Sequence, residues 1–490
     1  MQQTSGALRV FRNRPWFYTV TIETMTSMQH KFGALDLIRA GLQDLDKART
    51  LFDELHNDGI DDDRMRLLLT TLEKACDPDV ALSNLVDIIK VVQSQGEDFT
   101  NIIADENSFI RLITVLGVSD EMGKLMRFRP ELVEAAANDA CESHLYNHEQ
   151  RRAHVLKSVG ADPNDHTMPT ASLPLAEAAT ALRKTYRKQL AAIMAQDATA
   201  NDPITIQPRI STELSDLADA ALEGALAIAR HEVDGSEHVR FAIIGMGKLG
   251  AQELNYVSDV DLIYVVEPAD ADTNGMTLSR VGTKMATTLQ RDMPIRHYGV
   301  AEPTLWQIDG GLRPEGKDGP LVRRLESHEA YYEQWAENWE FQALLKARPV
   351  AGDSDLGQAY MSMTRPFVWT ASKRDNFVYD CQQMRKRVED LIPNPLKDRE
   401  IKLGRGGLRD VEFTVQMLQL VHGRSDEALR TSSTLESLQA LAEWIRLTQT
   451  SQKTLMGLPI RTSTGTPTAN VGAQAHPPVP GPWQSQCGRP

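Results

Sequence analysis

The sequence predicts an α+β fold, in which a mostly helical chain carries one mixed sheet. Apolar residues recur at three- and four-residue spacing in the ranges 35–55 and 65–93, which is the pattern of amphipathic helices. A different pattern occupies 241–267, where an apolar strand, a glycine-rich turn, a short polar helix and a second strand follow one another. The chain is therefore expected to pack its helices around a single α/β segment.

Further helices are expected along the rest of the chain, separated by glycine and proline. Three prolines make 160–174 a linker. Ser211 is expected to cap the helix that precedes the first strand, which begins near Val239. The predicted helical ranges are 109–137 with breaks near Gly117 and Pro130, 175–196, 211–231, 327–346, and 377–423 around a second glycine turn. Four aromatic residues have helical spacing and are expected in the core, namely Tyr331, Tyr332, Trp335 and Trp339.

The most informative segment holds two aspartates, Asp259 and Asp261, at the start of its second strand. Alternate residues of a strand point to the same face, so both carboxylates should project together. Two like charges held side by side are costly unless a cation lies between them, and Mg²⁺ prefers oxygen ligands of this kind. The upstream turn, with Gly245 and Gly247, can bring backbone N–H groups close to phosphate. This combination indicates a nucleotidyl-transfer site.

The same glycines permit a different interpretation, because residues 245–250 read G-x-G-x-x-G after a strand. In a dinucleotide-binding fold, Glu267 would lie at a suitable distance to bind a ribose. That fold would place Asp259 and Asp261 on a buried parallel strand, where unpaired carboxylates cost several kcal/mol. A purely structural carboxylate pair is the third interpretation. We expect the nucleotidyl-transfer site.

A third carboxylate is expected from a neighbouring strand. Residues 304–309 read as a strand that ends in Asp309, and 310–316 follow as a turn. Asp309 would complete a set of carboxylates around two Mg²⁺ ions, which hold the attacking and leaving oxygens of an in-line displacement. An aspartate in this place also commonly starts a turn, so that role stays open. Arg313, within the turn, is placed to meet phosphate with its planar guanidinium.

Several basic and small residues are candidates for binding nucleotide or phosphate. The full set is Gly245, Gly247, Lys248, Ser258, Arg313, Lys346, Arg348, Arg405 and Arg409. Lys248 would meet a phosphate as a point charge, and a solvated helix lysine is the alternative. Ser258 would orient phosphate or a metal-bound water, or else cap a turn.

For two pairs of cations in this set, the sequence supports a structural role as well as it supports a role in binding phosphate. Lys346 and Arg348 end an apolar helix, where they would either bind free phosphate or complement the helix dipole. Arg405 and Arg409 belong to the second glycine turn, which runs into a helix. The start of that helix would present N–H groups to an anion, or would simply carry ordinary capping acids.

Four motifs follow one another in a specific order. They are G-M-G-K-L-G-A-Q-E-L-N-Y-V-S-D-V-D-L-I-Y at 245–264, D-G-G-L-R-P-E-G at 309–316, W-E-F-Q-A-L-L-K-A-R-P-V-A-G-D at 339–353 and I-K-L-G-R-G-G-L-R-D-V-E-F at 401–413. Together they resemble the glutamine synthetase adenylyltransferase/adenylyl-removing enzymes, with weaker likeness from about residue 108 and none after about 445. The resemblance implies a polymerase-beta-like nucleotidyltransferase domain followed by a helical domain. It also implies catalytic and metal-binding roles for Asp259, Asp261 and Asp309.

Members of this family attach AMP to a tyrosine of glutamine synthetase and remove it, using two catalytic copies in one longer chain. The G-G-L-R-D-V-E-F form, with Arg409 before the acid, resembles the amino-terminal, adenylyl-removing copy, and no second copy occurs here. The resemblance therefore implies that phosphate attacks the AMP–tyrosine bond and releases ADP. It implies Mg²⁺, ATP or ADP, inorganic phosphate, glutamine synthetase and a PII nitrogen-signal protein as cofactor and partners. The alternative is an inert fragment that only binds glutamine synthetase or a nitrogen-signal protein.

Five regions are expected along the chain. They are an N-terminal helical region (1–160), a linker with helices (161–235), the nucleotidyltransferase domain (236–365), a helical domain with the second glycine turn (366–445) and an atypical tail (446–490). The tail lacks Asp and Glu over the 47 residues after Glu443 and holds seven of the 24 prolines. We expect disorder from about residue 455. A shifted reading frame or a natural disordered tail would explain this composition.

Composition favours a soluble cytoplasmic protein. The net charge is −14 at pH 7 and no block of Lys or Arg occurs, so nucleic acid is not expected as a partner. No apolar stretch reaches the length of a membrane span. The cysteines lack C-x-x-C spacing, which predicts neither a zinc site nor a disulfide framework; they are Cys76, Cys141, Cys381 and Cys487.

Overall fold

The computed structural model of this chain describes residues 32–96, 99, 105–137, 146–292, 302–397 and 399–457. It confirms the α+β prediction, because helices predominate and one small mixed sheet lies in the middle of the chain. The chain separates into two compact units, 1–437 and 438–490, and the sheet belongs to the first. Among the described residues, no helix combines the length and the apolar character needed to cross a membrane.

The first helices bury a common apolar core. They are α1 (Ala34–Arg39), α2 (Leu45–Asn57), α3 (Asp62–Leu72), α4 (Pro78–Ser94), α5 (Glu106–Val118), α6 (Asp120–Met126) and α7 (Pro130–Ala137). An aspartate side chain accepts a backbone N–H at the starts of α2, α3, α4 and α5, as N-caps do. The predicted ranges 35–55 and 65–93 are each divided into two helices. Gly41 turns the chain with a left-handed φ of 83°, and Asp77 caps a new helix that starts at Pro78.

Three helices lead to the sheet, namely α8 (His148–Ser158), α9 (Leu175–Thr199) and α10 (Pro203–Glu232). The predicted linker 160–174 is free of helix and strand, as expected. The predicted start of α10 at Ser211 is wrong. The helix begins at Pro203, because Asp202 accepts the backbone N–H groups of Ile204 and Thr205, and proline suits the first helical position.

Five strands form the sheet in the order β3-β2-β1-β5, with β4 also pairing with β2. They are β1 (Val239–Gly245), β2 (Val260–Pro268), β3 (Ile308–Asp309), β4 (Val322–Arg323) and β5 (Arg348–Gly352). The predicted strand 304–309 is therefore shorter than expected, and only its last two residues pair. Strand β1 runs antiparallel to β2. A dinucleotide-binding unit needs these two strands parallel, so the observed pairing excludes that interpretation.

Both faces of β1 and β2 are covered. Phe241 and Ile243 face one apolar cluster, formed largely with α10 and with α12 (Gly275–Asp292), which follows the one-turn helix α11 (Gly247–Gly250). Ala242 and Ile244 face the opposite cluster, formed with α13 (Leu325–Gln334), α14 (Asn338–Leu344) and α15 (Ser354–Thr370). The alternation follows from the strand period of two residues. The central strands are consequently close-packed on both faces, and this packing fixes the positions of the segments at their ends.

The aromatic residues of the range 327–346 do not share one environment. Tyr332 is 1% exposed, as predicted, but Trp335 is 74% exposed, so its assignment to the core is wrong. The reason is a break between α13 and α14, where Glu337 and Glu340 form a capping box and start a new helix. Helical spacing does not extend across that break. Trp335 consequently falls on the outside.

The chain continues with α16 (Phe377–Asp390), α17 (Leu408–His422) and α18 (Thr434–Gly457). The predicted helical range 377–423 is interrupted between Asp390 and Leu408, where the described residues form a short 3₁₀ turn (Asn394–Leu396) and no further helix. Helix α18 is continuous through the predicted boundary at 445/446. The disorder predicted from about residue 455 concerns a range that, from 458 on, lies outside the described residues.

A buried histidine is expected to make the protein sensitive to mild acid. His328 is 1% exposed and packs against the rings of Tyr332 and Tyr360. Burial, with a smaller effect of Arg323, lowers the pKa of His328 from 6.5 to about 3. Between these values the unfolded chain binds a proton that the folded chain does not. The free energy of unfolding should therefore fall as the pH drops below 6.5, by about 1.4 kcal/mol per pH unit.

Urea denaturation at about pH 7.5 and about pH 5 measures this loss. We expect a clearly smaller loss in the His328→Phe variant, because its ring cannot be protonated and every other titrating group is shared with the wild type. Equal losses in the two proteins would contradict the assignment.

Candidate active site

The glycine turn and the two aspartates meet at one end of the sheet. Because β1 and β2 are antiparallel, Gly245 at the end of β1 pairs with Leu262 near the start of β2. The Met246 N–H donates to the Asp261 carbonyl oxygen at 2.9 Å. Gly247 has a left-handed φ of 54°, and a Cβ there would lie 2.6 Å from Asp261 Oδ2. Only glycine lets the backbone approach this carboxylate so closely.

Asp309 joins the pair through the sheet. Strand β3 is parallel to β2, and Asp309 lies in register with Asp261. Its Oδ1 atom accepts the Gly311 N–H at 2.7 Å. Asp309 therefore starts the turn and also lies beside Asp261, so the two interpretations of this residue are compatible. The structure thus brings together the three carboxylates that the sequence selected.

The three acids make this end of the sheet strongly anionic. Burial, followed by the charges of Asp259 and Asp309, raises the pKa of Asp261 from 3.8 to about 6. Asp259 and Asp309 are exposed, whereas Asp261 is half-buried between strand and turn. Lys402 and Arg409 act in the opposite direction on the pKa of Asp261. A cation bound among these neighbouring carboxylates would be stabilising.

The donor set fits a hard divalent cation, because it consists of carboxylate oxygens on adjacent strands. The side chains do not form a closed cage, however. No group of three or more His, Cys, Asp or Glu side chains in the described part of the chain has the geometry to hold a metal ion. The carboxylates are separated because like charges repel one another. In addition, the hydrogen bond from the Gly311 N–H keeps the Asp309 carboxylate within the 310–316 turn. Binding of Mg²⁺ by Asp259, Asp261 and Asp309 stays a prediction.

A cavity of about 360 Å³ opens beside the acids. Its lining includes Asp259, Asp309, Arg313 and Lys317. Arg313 donates to the backbone carbonyl oxygens of Gly310, Lys317 and Gly319, at 2.6 to 3.2 Å. Its guanidinium therefore shapes the turn around the cavity and lies at the cavity wall. Phosphate binding by Arg313 stays a prediction.

Cations from both glycine turns also come close to the acids. Lys248 is half-buried. Burial lowers its pKa, and the charges of Lys402 and Arg409 add to this effect, while Asp259 opposes it. Lys402 did not emerge from sequence reasoning, although it belongs to the motif that contains Arg409. Nothing in the sequence distinguishes this exposed lysine from other surface lysines, and its relevance follows from the proximity of the two glycine turns in the structure.

Ser258 and Arg405 are two further candidates from the sequence. Ser258 is half-buried and immediately precedes Asp259. Arg405 is exposed on the second glycine turn. The acid of that turn, Asp410, accepts the Gly406 N–H at 2.5 Å and pairs with Arg385. The turn is thus closed by its own residues, which leaves Arg405 directed to solvent.

Lys346 and Arg348 are bound to carboxylates of the protein itself. Arg348 pairs with both oxygens of the buried Asp219, at 2.6 and 3.1 Å, and donates to the Leu249 and Gly250 carbonyl oxygens. Lys346 is 5% exposed and lies between acids of two motifs. These pairs hold the glycine turn in its position. Phosphate binding by either residue stays a prediction, and it would require its ion pairs to open.

Comparison with known proteins agrees with this geometry. The family model described as glutamate-ammonia ligase adenylyltransferase matches residues 109–363, and the one described as GlnD PII-uridylyltransferase matches 382–456. The chain is 74% identical over 419 residues to a bifunctional glutamine synthetase adenylyltransferase/adenylyl-removing enzyme of Bifidobacterium longum (strain DJO10A), covering 86% of this chain and 39% of that protein.

Proteins with the same name in Cutibacterium acnes and Streptomyces avermitilis are 43% and 42% identical over 409 and 410 residues. These matches cover 83% of this chain in both cases, and 41% and 38% of the relatives. The chain thus spans about two fifths of the length of these relatives. One family model alone covers more than half of the chain, and its range contains the glycine turn and the three acids. The chain belongs to the glutamate-ammonia ligase adenylyltransferase family.

Proposed function

We propose that this chain removes AMP from an adenylylated tyrosine of glutamine synthetase by phosphorolysis, releasing ADP. The observation that carries the proposal is the placement of Asp259, Asp261 and Asp309 beside the glycine turn at one end of the sheet. The curated relatives are named for both attachment and removal of AMP. Removal is favoured here because the G-G-L-R-D-V-E-F motif resembles the adenylyl-removing copy of the family.

The reaction requires an oxygen of inorganic phosphate to attack the phosphorus of AMP while the bond to the tyrosine oxygen breaks. The new bond makes ADP, and the phenolate takes up a proton. In this proposal, Lys248 and Arg409 offset the negative charge of the phosphates. Gly247, whose backbone packs against Asp261, brings the N–H groups of its turn toward the same place. Mg²⁺ held by the three aspartates would supply charge stabilisation to the same groups. A cytoplasmic location and regulation by a PII nitrogen-signal protein stay predictions.

The direction of transfer can be tested with purified components. Incubated with adenylylated glutamine synthetase, Mg²⁺ and phosphate, the chain should release ADP together with unmodified synthetase. Omitting phosphate should abolish the product, because phosphate is the nucleophile. Nucleotide analysis by chromatography and the mass of the synthetase subunit measure the two products.

Unmodified synthetase with ATP is the matched control, and little AMP should become attached to it. Efficient attachment would show that this chain carries the opposite activity. Tight binding of adenylylated synthetase by a folded chain without any release of nucleotide would instead favour a fragment that only binds.

A further inference from the structure

Lys346 contacts the catalytic turn through its backbone. It lies just before β5, and Arg348 at the start of that strand pairs with Gly245 at the end of β1. A Cβ added to Gly250 would lie 1.8 Å from the Lys346 carbonyl oxygen, so the two backbones are packed together. The position of Lys346 is therefore tied to that of the glycine turn.

The Lys346 side chain reaches away from this turn toward the helical domain. Its ammonium group lies 2.9 Å from Glu253 Oε2, 2.6 Å from Glu412 Oε1 and 3.1 Å from Thr434 Oγ1. An ammonium group has three donors, and all of them are used here. The residue is 5% exposed, so water does not compete strongly for these bonds. A group held in this way could bind a free phosphate only after one of these bonds had opened.

Each of the two acids, Glu253 and Glu412, also forms hydrogen bonds with a further residue or element. Glu253 Oε1 accepts the Thr434 backbone N–H and the Ser433 hydroxyl, so this acid caps the start of α18. Glu412 Oε2 accepts from Arg409 Nη1 at 2.8 Å. Burial alone would raise the pKa of Glu412, but Lys346 and Arg409 outweigh it and hold that pKa below its usual value. The Glu412 carboxylate thus stays ionised between two cations.

We propose that Lys346 is a positioning residue for the transfer reaction, which fixes Glu412 and, through it, holds Arg409 near Asp261. The inference rests on the proposed function, because it takes Arg409 as a group that acts on phosphate. It assigns Lys346 a role different from direct phosphate binding. One buried lysine then couples the two glycine-turn motifs, which are more than 140 residues apart in sequence, from 250 to 404.

Three variants test the proposal in the whole chain. Lys346→Met removes the ammonium group but keeps much of the volume, and Glu412→Gln interrupts the contact with Arg409 while Lys346 keeps Glu253. Lys90→Met is the matched control, because Lys90 also pairs with a glutamate, Glu54, at 2.8 Å, but on the surface of the N-terminal helices. We expect kcat for ADP release to fall about 100-fold in the first two variants, as misplaced groups do, and to stay unchanged in the control.

A double-mutant cycle separates positioning from a general loss of structure. Arg409→Gln should lower kcat strongly in the wild-type background but only slightly in the Lys346→Met background, because the arginine is already misplaced there. Additive effects of the two substitutions would overturn the proposal. So would a Glu412→Gln variant with wild-type kcat, and this variant keeps the test valid even if Lys346→Met fails to fold.

Hydrogen exchange gives a readout that does not depend on activity. Backbone amides of residues 404–413 should exchange faster in Lys346→Met than in the wild type, while Lys90→Met should not change them. If the wild-type protein releases no ADP but residues 404–413 still exchange faster in Lys346→Met, the proposed function is refuted and the contact network stands. Unchanged exchange in Lys346→Met would refute the positioning role itself.

Discussion

Replacing Asp261 by asparagine is expected to remove nearly all release of AMP from adenylylated synthetase while the chain stays folded. The carboxylate lies between the glycine turn and Asp309, and it is the most buried of the three acids. Asparagine keeps the shape but removes the negative charge that would hold a cation beside the transferred adenylyl group. Loss of such a ligand costs several kcal/mol of transition-state stabilisation, and about 4 kcal/mol corresponds to a rate about 1,000-fold lower. Initial rates of ADP release measure the effect.

Asp272→Asn is the matched control for this substitution. Asp272 is an exposed aspartate shortly after β2 and far from the carboxylate end of that strand. The activity of the Asp272→Asn variant should equal that of the wild type. The circular dichroism spectrum of Asp261→Asn should match that of the wild type. Its midpoint of urea unfolding should be unchanged or higher, since one of three repelling charges is removed. Wild-type rates in Asp261→Asn, or in the presence of excess chelator, would contradict the site assignment.

Gly250→Ala is expected to have the largest effect on stability. The new Cβ would lie 1.8 Å from the Lys346 carbonyl oxygen and 2.4 Å from that of Gly245. Both are backbone atoms, and neither can move without disturbing the pairing of Gly245 with Arg348. Overpacking of this kind costs about 3 kcal/mol, or more where backbone must shift. Urea unfolding followed by circular dichroism measures the loss, and activity should fall with it because the turn is displaced.

The control for this prediction is Gly275→Ala, at the first residue of α12. A Cβ at Gly275 meets no atom within 4 Å, so its stability should be unchanged or slightly higher, as expected when alanine replaces glycine in a helix. A Gly250→Ala variant as stable as Gly275→Ala would show that the two backbones at the glycine turn can separate freely.

Local patterns sufficed for much of the fold. Aspartate caps, proline at first helical positions and three- or four-residue spacing involve neighbours a few positions apart, and these signals located most helices. Where a stronger local signal lay elsewhere, the prediction failed: Asp202 starts α10 before Ser211, and Glu337 ends the spacing that had placed Trp335 in the core. Both failures concern the boundaries of elements, which depend on which of two nearby caps is used.

The sequence by itself selected the candidate residues for the chemistry, because two aspartates on one strand face and a glycine turn are local features of a few residues. Only the tertiary structure decided what surrounds them. The antiparallel pairing of β1 with β2 places the glycine turn over Asp261, and the parallel pairing with β3 adds Asp309. In the sequence, Lys346 and Arg348 were candidates for binding phosphate or complementing a helix dipole, yet both pair with acids from distant parts of the chain. A charge finds its partner in space, and no spacing along the chain encodes a contact between residues so far apart.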